Sequence, residues 1–212
     1  MGEEMMEKVD FRKTLNNLYA PKNTTEWEAV DVPPMRFLMV DGAGDPNTSK
    51  AFSEAIEALY SVAYTLKFMS KRELDRDYTV CALEGLWYAE DMSVFEAGNK
   101  EAYQWTLMIM QPEWIDEPMV KKAVEQVEAK KHPAALSKLY FKEYHEGPAL
   151  QLLHIGSYDD EAPKLRELHH EYMPEHDLTF NGHHHEIYLS DFRRTPPEKL
   201  KTILRQPVAP AV

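Results

Sequence analysis

Residues 183–191 read HHHEIYLSD, placing imidazoles, carboxylates and a phenol within a few positions of one another. Such a cluster can bind a metal, act as a base, or present one carboxylate to a ligand. Metal binding fits poorly. Adjacent His183, His184 and His185 on a strand point to opposite faces in turn, so at most two converge. The related string HHEYMPEH (169–176) misses the HExxH spacing, its last histidine standing two residues too far, and Pro174 interrupts its helix. No metal site is expected, and the histidines read as surface or hydrogen-bonded hairpin residues.

Glu186 is a different case. The two-residue period of a strand places Glu186, Tyr188 and Ser190 on one face and Ile187 and Leu189 on the other. That pattern fits an ordinary strand with its polar face in solvent. It equally fits a strand that turns a carboxylate into a pocket. A buried carboxylate needs a proton, a cation or hydrogen bonds, and a nearby tyrosine hydroxyl can supply one such bond. Glu186 could then pair with a cationic ligand or, with a raised pKa, act as a general base toward water. Glu84 in LEGLWY occupies a comparable place earlier in the chain, and Gly85 beside it permits a bulge that would bring Trp87 toward the same space. Trp87, Tyr88, Trp105 and Tyr140 are each as well suited to a core as to a pocket wall; as a set they would stack a flat ligand. Cys81 reads as a buried, inert thiol. No GxSxG elbow, phosphate loop or dinucleotide fingerprint is present, so no cofactor is expected.

The elements that must position these groups follow from periodicity. MRFLMVDG (35–42) reads as a strand ending in a glycine turn, and a long helix follows with Phe52, Ala55, Ile56, Leu59, Ala63 and Leu66 on one face. DYTVCALEGLWY (77–88) and YQWTLMIMQP (103–112) read as two more strands, and Val120, Ala123, Val124 and Val127 mark a second helix. KLYFKEYHEGPALQLLHIGSY (138–158) reads as a hairpin turning at EGP. DDEAPKLRELHHEYM reads as a helix with acidic caps and solvated acidic faces, DLTFNG and HHHEIYLSD as a final hairpin, and TPPEKLKTIL as a capping box. Strand–helix–strand–strand thus occurs twice, with Gly42 and Gly156 each closing a first strand. The expected fold is α+β: a single domain over residues 1–212, built from duplicated modules at about 35–112 and 138–191, with N- and C-terminal extensions packed on it and a pocket where the halves meet.

Composition narrows the partners. The 212 residues are 43% hydrophobic, enough for a sizeable core, and carry a formal charge of −12. So acidic a surface repels phosphate backbones and anionic lipids, which argues against nucleic-acid and membrane-surface binding. Cationic ligands would be drawn toward it. One cysteine forms no intramolecular disulfide, MGEEMMEKVD lacks the apolar stretch of a signal peptide, and no apolar run is long enough to span a bilayer. A soluble cytoplasmic protein is expected; its oligomeric state stays open.

The strings FLMVDGAGDPN, YTLKFM, LEGLWY, WTLMIMQP, LLHIGSYDDE and HHEIYLSDFRRTPPEKLKTILRQPV together resemble the GyrI-like small-molecule-binding family over nearly the whole chain. The resemblance implies a duplicated strand–helix–strand–strand fold around a central pocket lined by aromatics, with an acidic residue at its base. In some relatives that pocket is the effector-binding part of multidrug-responsive activators. The stand-alone relatives include hydrolases of cyclopropanoid cyclohexadienones, the reactive groups of duocarmycin-type DNA alkylators, while others are known only as binders. By this resemblance the chain binds aromatic or cationic small molecules and hydrolyses such dienones, with Glu186 activating water, Glu84 its rival, and Tyr188 or another pocket tyrosine donating to the dienone oxygen. The alternative is a non-catalytic sequestrant, or an effector-sensing module acting through a partner protein.

Overall fold

The computed structural model describes residues 8–90, 95 and 98–211; the opening MGEEMM and part of the 89–102 loop lie outside the described residues. The fold is α+β, one large antiparallel sheet with helices, as expected. Short helices α1 (Phe11–Thr14) and α2 (Asn16–Tyr19) lead into β1 (Glu28–Val32), β2 (Met35–Ala43), α3 (Lys50–Glu73), β3 (Leu83–Tyr88) and β4 (Gln104–Gln111). Then come α4 (Glu117–Lys130), β5 (Tyr140–Tyr144), β6 (Gly147–Ile155), α5 (Ala162–Glu167), a π-helical turn (Leu168–Tyr172) and α6 (Met173–Glu175). Strands β7 (Leu178–Phe180), β8 (His184–Tyr188) and β9 (Lys201–Pro210) close the chain.

The strand order β1-β6-β9-β8-β3-β4-β2-β5 has an internal two-fold. The duplicated modules are β2-α3-β3-β4 and β6-α5-β8-β9, and they meet where β3 pairs antiparallel with β8, Gly85 opposite Glu186. Three expectations are corrected here. Residues 138–158 form no hairpin: β5 pairs with β2, while β6 pairs with β1 and β9. The NG turn does not join β7 to β8, because β7 pairs with β9. The expected capping box begins no lasting helix; after a single 3-10 turn at Pro197–Lys199 the chain runs into β9, hydrogen-bonded to β8 and β6. Ladder partners outweigh a local helix-start motif. The second module therefore reaches Pro210 rather than residue 191.

Each module has a leading strand that joins the other module. β1 adds to β6, and β5 adds to β2. Laid flat, β5 and β6 would stand about 29 Å apart at ordinary strand spacing. Residues 145 and 146 span only about 11 Å. The sheet must therefore roll until its ends approach, and the two prolines between β1 and β2 impose the same constraint on the other side.

Alternation along the strands sorts the core into layers. Leu83, Trp87, Trp105, Leu107 and Ile109 face α3 and α4. Leu150, Leu152 and Leu204 meet Leu168 and Met173 beyond α5. The other face, inside the roll, holds Leu86, Met108, Ile187 and Ile203 and is plugged by Leu18 and Tyr19 of α2. Gly42 lies opposite Trp105, and a side chain there would overlap the indole ring.

Inside the roll lies a buried polar chain. Arg205 Nη1 donates to Glu146 Oε2 at 3.2 Å, and its Nη2 donates to the Leu18 carbonyl and to Gln151. Glu146 also contacts His185 Nδ1 at 3.0 Å, His185 Nε2 lies 2.9 Å from Glu84 Oε2, and Tyr19 donates to Glu84 Oε1 at 3.0 Å. Burial alone would depress the His185 pKa, but Glu146 and Glu84 outweigh it and raise it to about 9. Burial likewise works to raise Glu146, yet His185 and Arg205 hold it below the usual carboxylate range. A histidine whose folded pKa exceeds its unfolded value of about 6.5 contributes stability that is complete below that value and lost as pH rises through the folded pKa. The midpoint of urea unfolding should therefore fall between pH 6.5 and about 9. In His185→Gln that slope should vanish; a flat wild-type profile over the window would show that the imidazole is not charged.

Candidate active site

A cleft of about 2350 Å³ opens on the helical face of the sheet, bounded by α3 on one side and residues 157–170 on the other. Its floor is the β3–β8 seam, where Trp87, Glu186 and Tyr188 converge with Leu83 and His184. Phe52 stacks on Trp87 at 6.0 Å between ring centroids, and Tyr103 meets Trp87 edge-on at 6.1 Å. Lys100 and Asp159 pair at 3.1 Å between the first-module loop and the second-module wall.

The hydrogen-bond chain on the floor has a direction. Trp87 Nε1 donates to the Tyr188 hydroxyl at 3.0 Å, and that hydroxyl donates to Glu186 Oε2 at 2.7 Å. His184 Nε2 lies 3.4 Å from the other oxygen, Glu186 Oε1. Gly85 makes room for this arrangement: a Cβ there would stand 3.1 Å from Trp87 Nε1 and 3.2 Å from the Tyr188 oxygen. Burial, then the adjacent Glu186, push the Tyr188 phenol well above its ordinary pKa, so it stays a hydroxyl. With its one proton given to Glu186, Tyr188 orients the carboxylate and has no proton left for a ligand.

Glu186 and Tyr188 share the cleft face, and Trp87 joins them by plain alternation along β3, since the register runs through Gly85 without the expected bulge and Trp87 does not share the space of Glu84. The other candidates lie elsewhere. Glu84 does not line the cleft; it points into the roll, fully buried between Tyr19 and His185. A one-residue offset on a strand reverses the face, and with Gly42 matched to Gly156 the counterpart of Glu186 is Leu83, while that of Tyr188 is Gly85. Tyr88 follows Glu84 onto that opposite face, its hydroxyl 3.4 Å from Thr106 Oγ1 and its ring stacked on His183. Tyr140 packs against the core inside the roll and donates to Asp41 at 2.9 Å. Trp105 is completely buried behind the wall, edge-on to Phe52. Trp114 anchors an edge, donating to Ser70 at 2.9 Å. Burial raises the Cys81 thiol pKa and keeps it unreactive. Among the described residues no group of three His, Cys, Asp or Glu side chains is arranged to hold a metal, and no helix is long and apolar enough to cross a membrane.

Glu161 is the residue that the sequence reading missed. It is 4% exposed and lines the cleft, although it belongs to the acidic run YDDEAP. Its Oε1 has no hydrogen-bond partner, and the Thr202 hydroxyl lies beside the carboxyl. Burial first, then Glu186, raise its pKa well above the usual carboxylate range. The available signal was spacing: Glu161, Leu165, Leu168 and Tyr172 recur at helical intervals on one face. Tyr158 was missed as well; its ring packs edge-on against Tyr188 at 5.8 Å.

Tyr188→Phe would remove both the donor to Glu186 and the acceptor for the Trp87 indole, stranding a partly buried N–H. Stability should drop by about 1–3 kcal/mol, read by urea unfolding. An unchanged midpoint would mean that the indole finds another partner.

The profile of the GyrI-like small molecule binding domain matches residues 25–209. Among solved structures, an uncharacterized conserved protein from Listeria innocua is 38% identical, with a TM-score of 0.86 over 95% of this chain and 100% of that one. A hydrolase from the same organism is 37% identical, with a TM-score of 0.82 over 95% of this chain and 100% of its own. A further Listeria innocua structure described as a hydrolase is 37% identical, with a TM-score of 0.85 over 96% of this chain and 100% of its own. No curated protein matches the chain.

Proposed function

The chain belongs to the GyrI-like small molecule binding family, and from that premise we propose that its cleft takes flat, hydrophobic aromatic molecules and hydrolyses cyclopropanoid cyclohexadienones among them. The observation that carries the reading is the Trp87–Tyr188–Glu186 chain on the cleft floor. Two similar Listeria innocua structures described as hydrolases support catalysis in general and name no substrate.

The chemistry suits these groups. Opening a spiro-cyclopropane conjugated to a dienone converts the dienone into a phenol, and the gain of aromaticity helps drive the step. What the enzyme adds is position and proton transfer. Phe52, Trp87 and Tyr103 offer aromatic surfaces for a planar ring. Glu186, oriented by Tyr188, takes a proton from the water that attacks the strained carbon. Removal of the dienone would be a detoxifying activity. Glu84, on the far side of the sheet, takes no part.

The test is a time course with a duocarmycin-type spiro-cyclopropyl cyclohexadienone, following dienone absorbance and tryptophan fluorescence together. The wild type should consume many equivalents above the buffer rate. Glu186→Gln should lose roughly 10²–10⁴-fold in kcat while tryptophan quenching by the ring-opened phenol persists. Quenching by an intact dienone, with no product, would instead identify a sequestrant or an effector-sensing module.

A further inference from the structure

The ring opening needs a proton at the dienone oxygen as well as a base for water, and Tyr188 has none to give. Resting on the hydrolase reading above, we propose that Glu161 is the catalytic acid: it delivers a proton to the dienone oxygen while Glu186 accepts one from the attacking water. Glu161 meets the geometric demands of that role. It lies in the wall of the same cleft, at the start of the second-module helical segment, with Oε1 unpartnered although the residue is 4% exposed. A buried polar atom left unpaired in a binding cleft is costly unless a ligand or water completes it. The Thr202 hydroxyl beside it belongs to β9 at the position paired with Tyr188, which places Glu161 next to the floor rather than at the rim.

The groups facing Glu161 are mostly of one sign. Glu186 and the Tyr188 hydroxyl come from β8, and Thr202 from β9; Tyr158 and Asp159 come from its own segment, and Asp159 is itself paired with Lys100. Two carboxyl groups that sense each other in a buried site do not readily ionise together. Glu186 already accepts the hydrogen bond from Tyr188 and lies near His184, whereas Glu161 Oε1 has no partner. The proton settles on Glu161, whose raised pKa agrees with that assignment.

The step balances. The cyclopropane C–C bond breaks, and its electron pair enters the ring as the dienone becomes a phenol. The Glu161 proton forms the phenolic O–H, the water oxygen bonds to the released methylene carbon, and the water's proton goes to Glu186. Turnover leaves Glu161 ionised and Glu186 protonated. One proton passed between the two carboxyls, directly or through a water, restores the starting state.

The test compares wild type with Glu161→Gln and Glu161→Asp on the spiro-cyclopropyl dienone across pH, with the ring-opened phenol as a binding probe. Glu161→Gln should lose about 10²–10⁴-fold in kcat, bind the phenol as the wild type does by tryptophan quenching, and lose the decline in kcat on the alkaline side. The infrared carbonyl band of a protonated carboxyl at neutral pH should disappear with it. Glu161→Asp should recover part of the rate together with the alkaline decline, which a merely structural residue would not restore. Turnover by Glu161→Gln at the wild-type rate with an unaltered pH profile would overturn the assignment and leave Glu186 as base intact. Phenol binding lost in step with kcat, or a carboxyl band that survives the substitution, would overturn it in the same way. A wild type that leaves the dienone untouched at every pH would remove both readings.

Discussion

The arrangement of this molecule turns on a buried charge chain inside the rolled sheet. Arg205, Glu146, His185 and Glu84 are each almost wholly removed from solvent, where an unpaired charge is prohibitively costly. They are tolerable only as a complete set, and completeness requires six pieces of chain to arrive together. Glu146 comes from the two-residue link between the halves, His185 from β8, Arg205 from β9, Glu84 from β3, Gln151 from β6, and the Leu18 carbonyl and Tyr19 hydroxyl from α2. Once His185 is held on the inner face, strand alternation leaves His184, Glu186 and Tyr188 no choice but to face the cleft. The structural and the chemical parts of HHHEIYLSD are the two sides of one strand.

The cleft that results is unequal. The first module contributes the Phe52 and Trp87 rings and the glycine that leaves space at the seam, with Glu57, Tyr60 and Tyr103 along its wall; the second contributes Glu161, Glu186, Tyr158, Tyr188 and His184. A planar ligand lying over the seam would meet the Phe52 and Trp87 rings on one side and Glu161, Glu186 and Tyr188 on the other. Such a division suits the recognition of a ring by surface and of its reactive edge by hydrogen bonds.

Much of this was readable in advance. Long-range order showed itself wherever periodicity was strong: α3 with its apolar face, the β2 and β4 runs, and the shared face of Glu186 and Tyr188. Misreadings arose where a local signal competed with a distant partner. EGP between two apolar runs resembles a hairpin turn, but β5 and β6 each find better partners across the roll, and no local pattern records that. TPPEKL has the residues of a helix start, yet the apolar run behind it satisfies its backbone in the sheet. Glu84 was matched to Glu186 by similarity of strings, and a single position decides which side of a sheet a side chain occupies. Glu161 sat in an acidic run that also makes a good helix cap, and the Ser157–Asp160 capping box next to it is real. Capping chemistry explained the run well enough to hide the one member that turns inward.

The exchange of leading strands has an implication for how such a cleft could be specialised. A lone strand–helix–strand–strand unit with its leader would leave one sheet edge bare, open to pairing with any exposed strand. Two identical units could cover each other's edges reciprocally, but symmetry would then write every residue of the cleft twice. Leu83 would have to equal Glu186, and Gly85 would have to equal Tyr188. Carrying both units on one polypeptide keeps the mutual protection while releasing the two sides from each other. One copy can keep the small and aromatic residues that seat a ring, and the other is free to acquire acid and base.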